Sequence, residues 1–186
     1  MKYIYEYIIN QENIIITTSQ NFYFFAHNNE AQELVENSII GQSLCSFIGG
    51  KETKELYRLL IERVRSEKRE ISIPFRCDSP TIRRFMKLHI KRLNETMVRF
   101  QGCLIKEEKR TKIDLLDITI PRNDTLLRMC SWCKKVYVND SWLEVENAIR
   151  ELDLFGSICL PALTHGMCDK CREMLMNEIS NLRNSG

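Results

Sequence analysis

Two Cys-x-x-Cys hooks, Cys130-Ser131-Trp132-Cys133 and Cys168-Asp169-Lys170-Cys171, stand 34 residues apart in this chain. Each hook bends the backbone so that two sulfurs reach one point, and Zn²⁺ prefers four such ligands in a tetrahedron at roughly 2.3 Å. The expected site is therefore one structural zinc held by Cys130, Cys133, Cys168 and Cys171. A catalytic zinc keeps one position open for water, and four cysteines leave no such vacancy. An iron–sulfur cluster takes the same donor set. The sharper competitor is a reversible dithiol switch. Lys134, Lys135 and Lys170 would depress the thiol pKa values, and oxidation of the closely spaced pairs would expel the metal. His165, three residues before Cys168, is an alternative ligand or a residue that supports the ligands from behind. Neither hook sits in the βαβ pattern of a thioredoxin-like oxidoreductase. Covalent haem would need histidine directly after a hook, where Lys134 and Arg172 stand.

The whole chain sets the frame for these hooks. Its 186 residues are 44% hydrophobic and 28% charged, the composition of a globular protein. That length holds one large domain, or an ordinary domain with a small appendage. No apolar run approaches the ~18 residues of a membrane span. Met1–Asn13 carries Lys2, Glu6 and Glu12 and has no small-residue cleavage site. A cytoplasmic location without membrane contact is expected, where paired cysteines bind metal or do redox chemistry more often than they form structural disulfides. A net charge of +2 is too small to argue for nucleic acid.

Periodicity divides the chain into an N-terminal extension (1–13), an α+β domain (14–106), a linker (107–125) and a small α/β module (126–186). Ile14–Thr18 and Phe22–Ala26 are β-rich runs around the turn-like Ser19-Gln20-Asn21. Asn28 to Phe47 reads as short helical stretches broken at Gly41. Leu56, Leu60 and Val64 mark one face of a helix over Glu52–Lys68. Three strands follow, with Ile71/Ile73/Phe75, Met86/Leu88/Ile90 and Val98/Phe100/Leu104 on their inner faces. Five antiparallel strands with helices grouped in one connection make an α+β fold. The charge run Lys106–Lys112 and Pro121-Arg122-Asn123-Asp124 read as linker. In the small module, Lys134–Val138 is a candidate strand and Asn139-Asp140-Ser141 a turn and cap. Trp142, Val145, Ile149 and Leu152 share a helical face that Gly156 ends. A last helix over Asp169–Leu182 carries Leu175, Ile179 and Leu182.

Further motifs carry a resemblance. Ile39-Ile40-Gly41-Gln42-Ser43-Leu44 with Phe47-Ile48 resembles the segment before the long helix of PAS domains. Pro74-Phe75-Arg76-Cys77-Asp78-Ser79-Pro80 with Arg83-Arg84-Phe85-Met86 adds to this. So do Leu126 to Lys135 around the first hook and Leu163-Thr164-His165-Gly166-Met167-Cys168-Asp169-Lys170-Cys171 around the second. Together they resemble short, stand-alone bacterial PAS-like proteins with a Cys-x-x-Cys … His-Gly-x-Cys-x-x-Cys zinc-binding tail. The resemblance implies a five-stranded antiparallel sheet with helices on one side and a pocket between, plus a zinc-ribbon-like module. It implies sensing or protein interaction and homodimerisation, for which Met1–Asn13 is the candidate contact. Flavin-binding relatives place a cysteine in an Asn-Cys-Arg motif, and haem-binding relatives use a histidine on the long helix. This chain has neither, so no flavin or haem is expected.

The remaining residues have plain uses. Cys45, Cys77, Cys103 and Cys159 lack partner spacing and read as small buried or half-buried groups. Trp132 and Trp142 read as packing of the small module, with exposure of Trp132 to a partner as the alternative. Arg76, Arg83, Arg84, Lys87, Lys91, Arg92 and Arg99 form a solvated sheet face or a docking surface for an acidic partner. Aromatic residues are not interleaved with them as on an RNA-binding sheet, which counts against a nucleic-acid-binding zinc-ribbon regulator. No catalytic constellation stands out, and Gly49-Gly50 is not a phosphate loop. The expectation is a non-enzymatic signalling module acting through a protein partner, with a redox sensor as the alternative.

Overall fold

The computed structural model describes residues 3–27, 34 and 39–184. Strands β1 (Tyr3–Ile9), β2 (Ile15–Thr18), β3 (Glu70–Arg76), β4 (Ile82–Arg92) and β5 (Val98–Lys109) form one antiparallel sheet in the order β2-β1-β5-β4-β3. Along β4 the side chains of Met86, Leu88 and Ile90 are buried while Phe85, Lys87 and His89 are less so, the period of two that a one-sided sheet requires. Helix α1 (Gln20–His27) lies beside β1, and α2 (Lys51–Glu67) packs Leu56, Leu60, Ile61 and Val64 into the sheet's inner face. Each such burial contributes about 1.5–3 kcal/mol. Gly102 in β5 makes room for the Tyr5 ring, which a Cβ there would meet at 2.3 Å.

Two N-terminal expectations change, and a third is mostly outside the described residues. Phe22–Ala26 is helical rather than β. Its aromatic content favours strand locally, but helical spacing turns Phe22 onto the Tyr5 and Tyr7 rings (6.1 and 6.4 Å between centroids) and buries Ala26, while Phe24 faces out. The fifth strand is β1, within the stretch expected as an extension. It is hydrogen-bonded to β2 on one side and β5 on the other, so its backbone has no edge to offer a second copy. Most of the helical stretches expected over Asn28–Phe47 lie outside the described residues; within them Leu44–Phe47 is a 3-10 turn.

Strand β5 continues to Lys109, paired with Ile82. The charge run is therefore largely strand, not linker. Ile113 and Leu115 are buried, and β6 (Arg122–Cys130) begins inside the expected linker. With β7 (Val136–Val138), β8 (Ser141–Leu143) and β9 (Leu160–Gly166) it forms a second sheet, β8-β7-β6-β9, in which β6 and β9 are parallel. Asn139 and Asp140 both have positive φ (46° and 59°), the two-residue turn that matches hairpin twist. That hairpin puts Trp142 on β8 rather than on the helix. Helix α3 (Val145–Glu151) follows and buries Val145, Ala148 and Ile149 against this sheet, ending before Gly156. Helix α4 (Asp169–Asn184) buries Leu175 and Ile179; the side chain of Leu182 lies outside the described residues.

The basic residues of β3 and β4 are not simply a solvated face. Arg76 and Arg84 are 7% and 5% exposed. Arg76 and Arg110 both pair with Asp78, whose side chain is 1% exposed. Arg76 also reaches Glu144 at 2.5 Å, and Arg83 and Arg110 reach Glu146 at 2.7 and 3.1 Å. The chain itself thus supplies acidic partners for Arg76, Arg83 and Arg110, tying the first sheet to the start of α3. Among the described residues no helix is long and apolar enough to cross a membrane.

Candidate metal centre

Parallel pairing of β6 and β9 brings the hooks together. Two adjacent strands running the same way end on the same edge, and here Cys130 stands opposite Gly166. The Ser131 N–H donates to the Gly166 carbonyl at 2.8 Å, so the pairing extends into the first hook. That hook closes with Lys134 N–H to Cys130 O (3.0 Å) and Cys130 N–H to Lys135 O (2.7 Å), with Lys134 at φ 61°. Positive φ is uncommon for a residue with a side chain, and here it turns the chain back under the sulfurs. Cys168 directly precedes α4 and Cys171 sits in its first turn, where the helix dipole favours thiolate charge.

The four Sγ atoms lie within 4.8 Å of one another, and Cys133 and Cys168 are 3.7 Å apart. Tetrahedral ligands at about 2.3 Å stand about 3.8 Å from each other. A disulfide would draw a pair to about 2.05 Å, and all four cysteines are free. The cysteines are positioned to hold one metal ion. Three are buried and Cys133 is half-buried. The Cys168 N–H donates to Cys130 Sγ at 3.4 Å, as backbone amides do around anionic sulfur. Hydrogen bonds from the Cys133 and Cys171 thiols hold Cys130 well below the ordinary thiol pKa. The same contacts with Cys130 push the Cys133 and Cys171 thiols above the ordinary range. One thiolate is thus favourable and the next are opposed, so ionising the whole set takes a compensating cation.

The centre is not enclosed within the second sheet's own core. Cys130, Cys168 and Cys171 belong to the same apolar cluster as Leu60, Ile73 and Phe100. Trp132 packs there too, contrary to the expectation that it fills the small module. Its Nε1–H donates to Pro74 O at 2.6 Å, its carbonyl accepts from Arg76 N–H at 2.9 Å, and its ring lies 5.7 Å from Tyr57. The first hook therefore covers β3, the edge strand of the first sheet. His165 is not among the clustered ligands. Its ring packs on Gly49, where a Cβ would stand 3.1 Å from Cγ, and burial, then Lys134, lowers its pKa. Cys103 is buried, Cys77 half-buried, and Cys45 and Cys159 exposed; none joins the cluster.

A separate apolar cavity of about 180 Å³ lies between the first sheet and its helices, lined by Tyr7, Ile15, Phe22, Ile39, Leu44 and Tyr57 among others. Burial pushes the Tyr7 phenol up and Tyr57 to about 12, so both stay protonated at neutral pH. Sequence reasoning missed the pairing of Asp78 with Arg76 and Arg110 and the proximity of Gly49 to His165; the Gly49-Gly50 pair was the one available sign of close backbone approach. No protein-family model matches the chain, and no curated protein or solved structure gives a match.

Proposed function

We propose that this chain is a PAS-like, non-enzymatic sensory and protein-interaction module of bacterial signal transduction, in which zinc is a structural ion and output passes to a partner protein. The observation that carries the reading is the closed set of four cysteine sulfurs placed where the two sheets' units meet. A four-thiolate site has no position for substrate or water, which favours a staple over a catalyst. The five-stranded antiparallel sheet, its helices and the apolar cavity between them agree with the arrangement that the PAS resemblance implies. A reducing cytoplasm is the compartment in which such thiols persist.

A redox sensor is the second reading, favoured by the half-buried position of Cys133 beside three buried partners. One measurement separates the two: metal content of the untagged protein, purified under reducing conditions, before and after mild peroxide. One zinc per chain retained after peroxide supports the staple. Zinc expelled as thiols disappear supports the sensor. Protein isolated without metal sinks the staple and leaves a dithiol protein, in which disulfide formation under peroxide is the remaining test of the sensor.

A further inference from the structure

A second cleft, of about 200 Å³, opens between the first hook and the start of α2, and Tyr57 forms a wall that it shares with the apolar cavity. Its composition is divided. Phe75 and Tyr57 supply aromatic surface, backed by the buried ring of Trp132, while Lys134, His165, Ser131 and Thr53 supply polar groups. Among the described residues no Asp or Glu lines it. The Lys134 ammonium donates to the Ser131 carbonyl at 3.0 Å, which uses one of its three N–H groups. Thr53 Oγ1 and Ser131 Oγ are 3.2 Å apart, so the hydroxyls form a pair across the junction. Burial first, and then the Lys134 charge, disfavour imidazolium at His165. A cation without a carboxylate in the same cleft is a site that an anion completes.

We propose that this cleft binds a small aromatic carboxylate, with its ring against Tyr57 and Phe75, in front of Trp132, and its carboxylate at Lys134 and the Ser131–Thr53 hydroxyls. The volume is below the roughly 300–1,000 Å³ of clefts that take drug-sized molecules, which restricts the occupant to about one ring and its acid group. An ammonium–carboxylate contact is charge-assisted and stronger than a neutral hydrogen bond. The aromatic walls supply the apolar share that a bare inorganic anion would not use. Such a ligand would touch both units at once, through α2 and through the hook. The cleft lies outside the cysteine set, and its occupancy is read independently of which metal that set holds.

The competing use of Lys134 is to offset the negative charge of a metal–thiolate centre one residue away. Benzoate is the probe, titrated into the full chain in its metal-loaded state in reducing buffer. Trp142→Phe leaves Trp132 as the reporting indole, with calorimetry on the unaltered chain as the second readout and bound zinc measured throughout. Saturable binding is expected, at least about tenfold tighter for benzoate than for benzyl alcohol, the factor one charge-assisted contact supplies, and tighter than for acetate, which keeps the carboxylate but lacks the ring. Lys134→Gln should weaken benzoate by about tenfold with bound zinc unchanged. Should that variant fail to fold, Ser131→Ala, which keeps the hook backbone, is expected to weaken it by about threefold. Non-saturating response, equal binding of benzyl alcohol, or full benzoate affinity in the variant overturns the proposal. Loss of zinc with benzoate affinity intact assigns Lys134 to the thiolate centre and overturns it as well.

Discussion

The two apolar clusters are completed in different ways. The cluster under the second sheet is assembled from neighbouring stretches, with Leu127, Met129, Val136 and Val138 facing Val145 and Ile149, and it contains no cysteine. The cluster under the first sheet is finished from far along the chain, by Trp132, Leu175, Ile179 and the buried cysteines. Strand β6 serves both: Leu127 and Met129 point into one cluster and Cys130 into the other, as a period of two dictates. A short strand and a helix can fill a local core with hydrocarbon alone. Where an edge strand, a long helix and two chain turns converge, a metal coordinated from four sides fixes directions that hydrocarbon packing leaves adjustable.

Disrupting the thiol centre should have the largest effect and should spread. Cys133→Ser is expected to lose most bound metal and at least ~3 kcal/mol of stability. Hydrogen exchange should rise in α4, β3 and α2 while α3 keeps its protection; a rise confined to residues 145–165 would contradict the shared cluster. Next comes the ion group joining the sheets. Asp78→Asn leaves Arg76 and Arg110 without their buried carboxylate and should cost about 3–5 kcal/mol in denaturant unfolding. A loss under ~1 kcal/mol would show that Glu144 and Glu146 suffice. In the local cluster, Ile149→Val should cost only about 0.5–1.5 kcal/mol and leave metal content untouched; metal loss there would erase the distinction between the clusters. The smallest effect is electrostatic. Hydrogen bonds from Lys112 (2.6 Å) and then Thr119 hold the Asp117 carboxyl well below the ordinary range. A lowered folded pKa means stability fully present above the unfolded value of about 3.9 and lost as pH falls through the folded one. Thermal melts of Asp117→Asn should therefore lose less between pH 7 and pH 3 than those of the unaltered chain. An identical loss would remove Asp117 from the acid response.

What could be read in advance follows the range of the forces involved. The hooks were legible because ligand spacing within four residues is local chemistry, and α2 because Leu56, Leu60 and Val64 repeat at helical period. The inner faces of β3 and β4 were legible for the same reason. Phe22–Ala26 was misread because its residue types favour strand while its packing partners, Tyr5 and Tyr7, lie on another element. Trp142 was misread because a hairpin turn at Asn139-Asp140 and a helix cap draw on the same residue types. The charge run after Lys106 hid a strand whose acids Glu108 and Glu107 pair with Arg83 and Arg84. The junction was least legible. Trp132 on Pro74 and Thr53 beside Ser131 join residues 58 and 78 positions apart, and no local pattern encodes such contacts.

The placement of Leu175 and Ile179 in the first cluster has a consequence for the order of synthesis. The chain is made from its N-terminus, and roughly 70 residues separate Lys109 from Ile179, about 4–14 s at 5–20 residues per second. During that interval α2 carries an apolar strip that nothing later in the chain has yet covered, and the first hook presents two thiols without their counterparts. The nascent first sheet is therefore a candidate client for chaperones and for thiol-protecting reductants until α4 emerges, and ribosome stalling before Cys168 should expose it to aggregation.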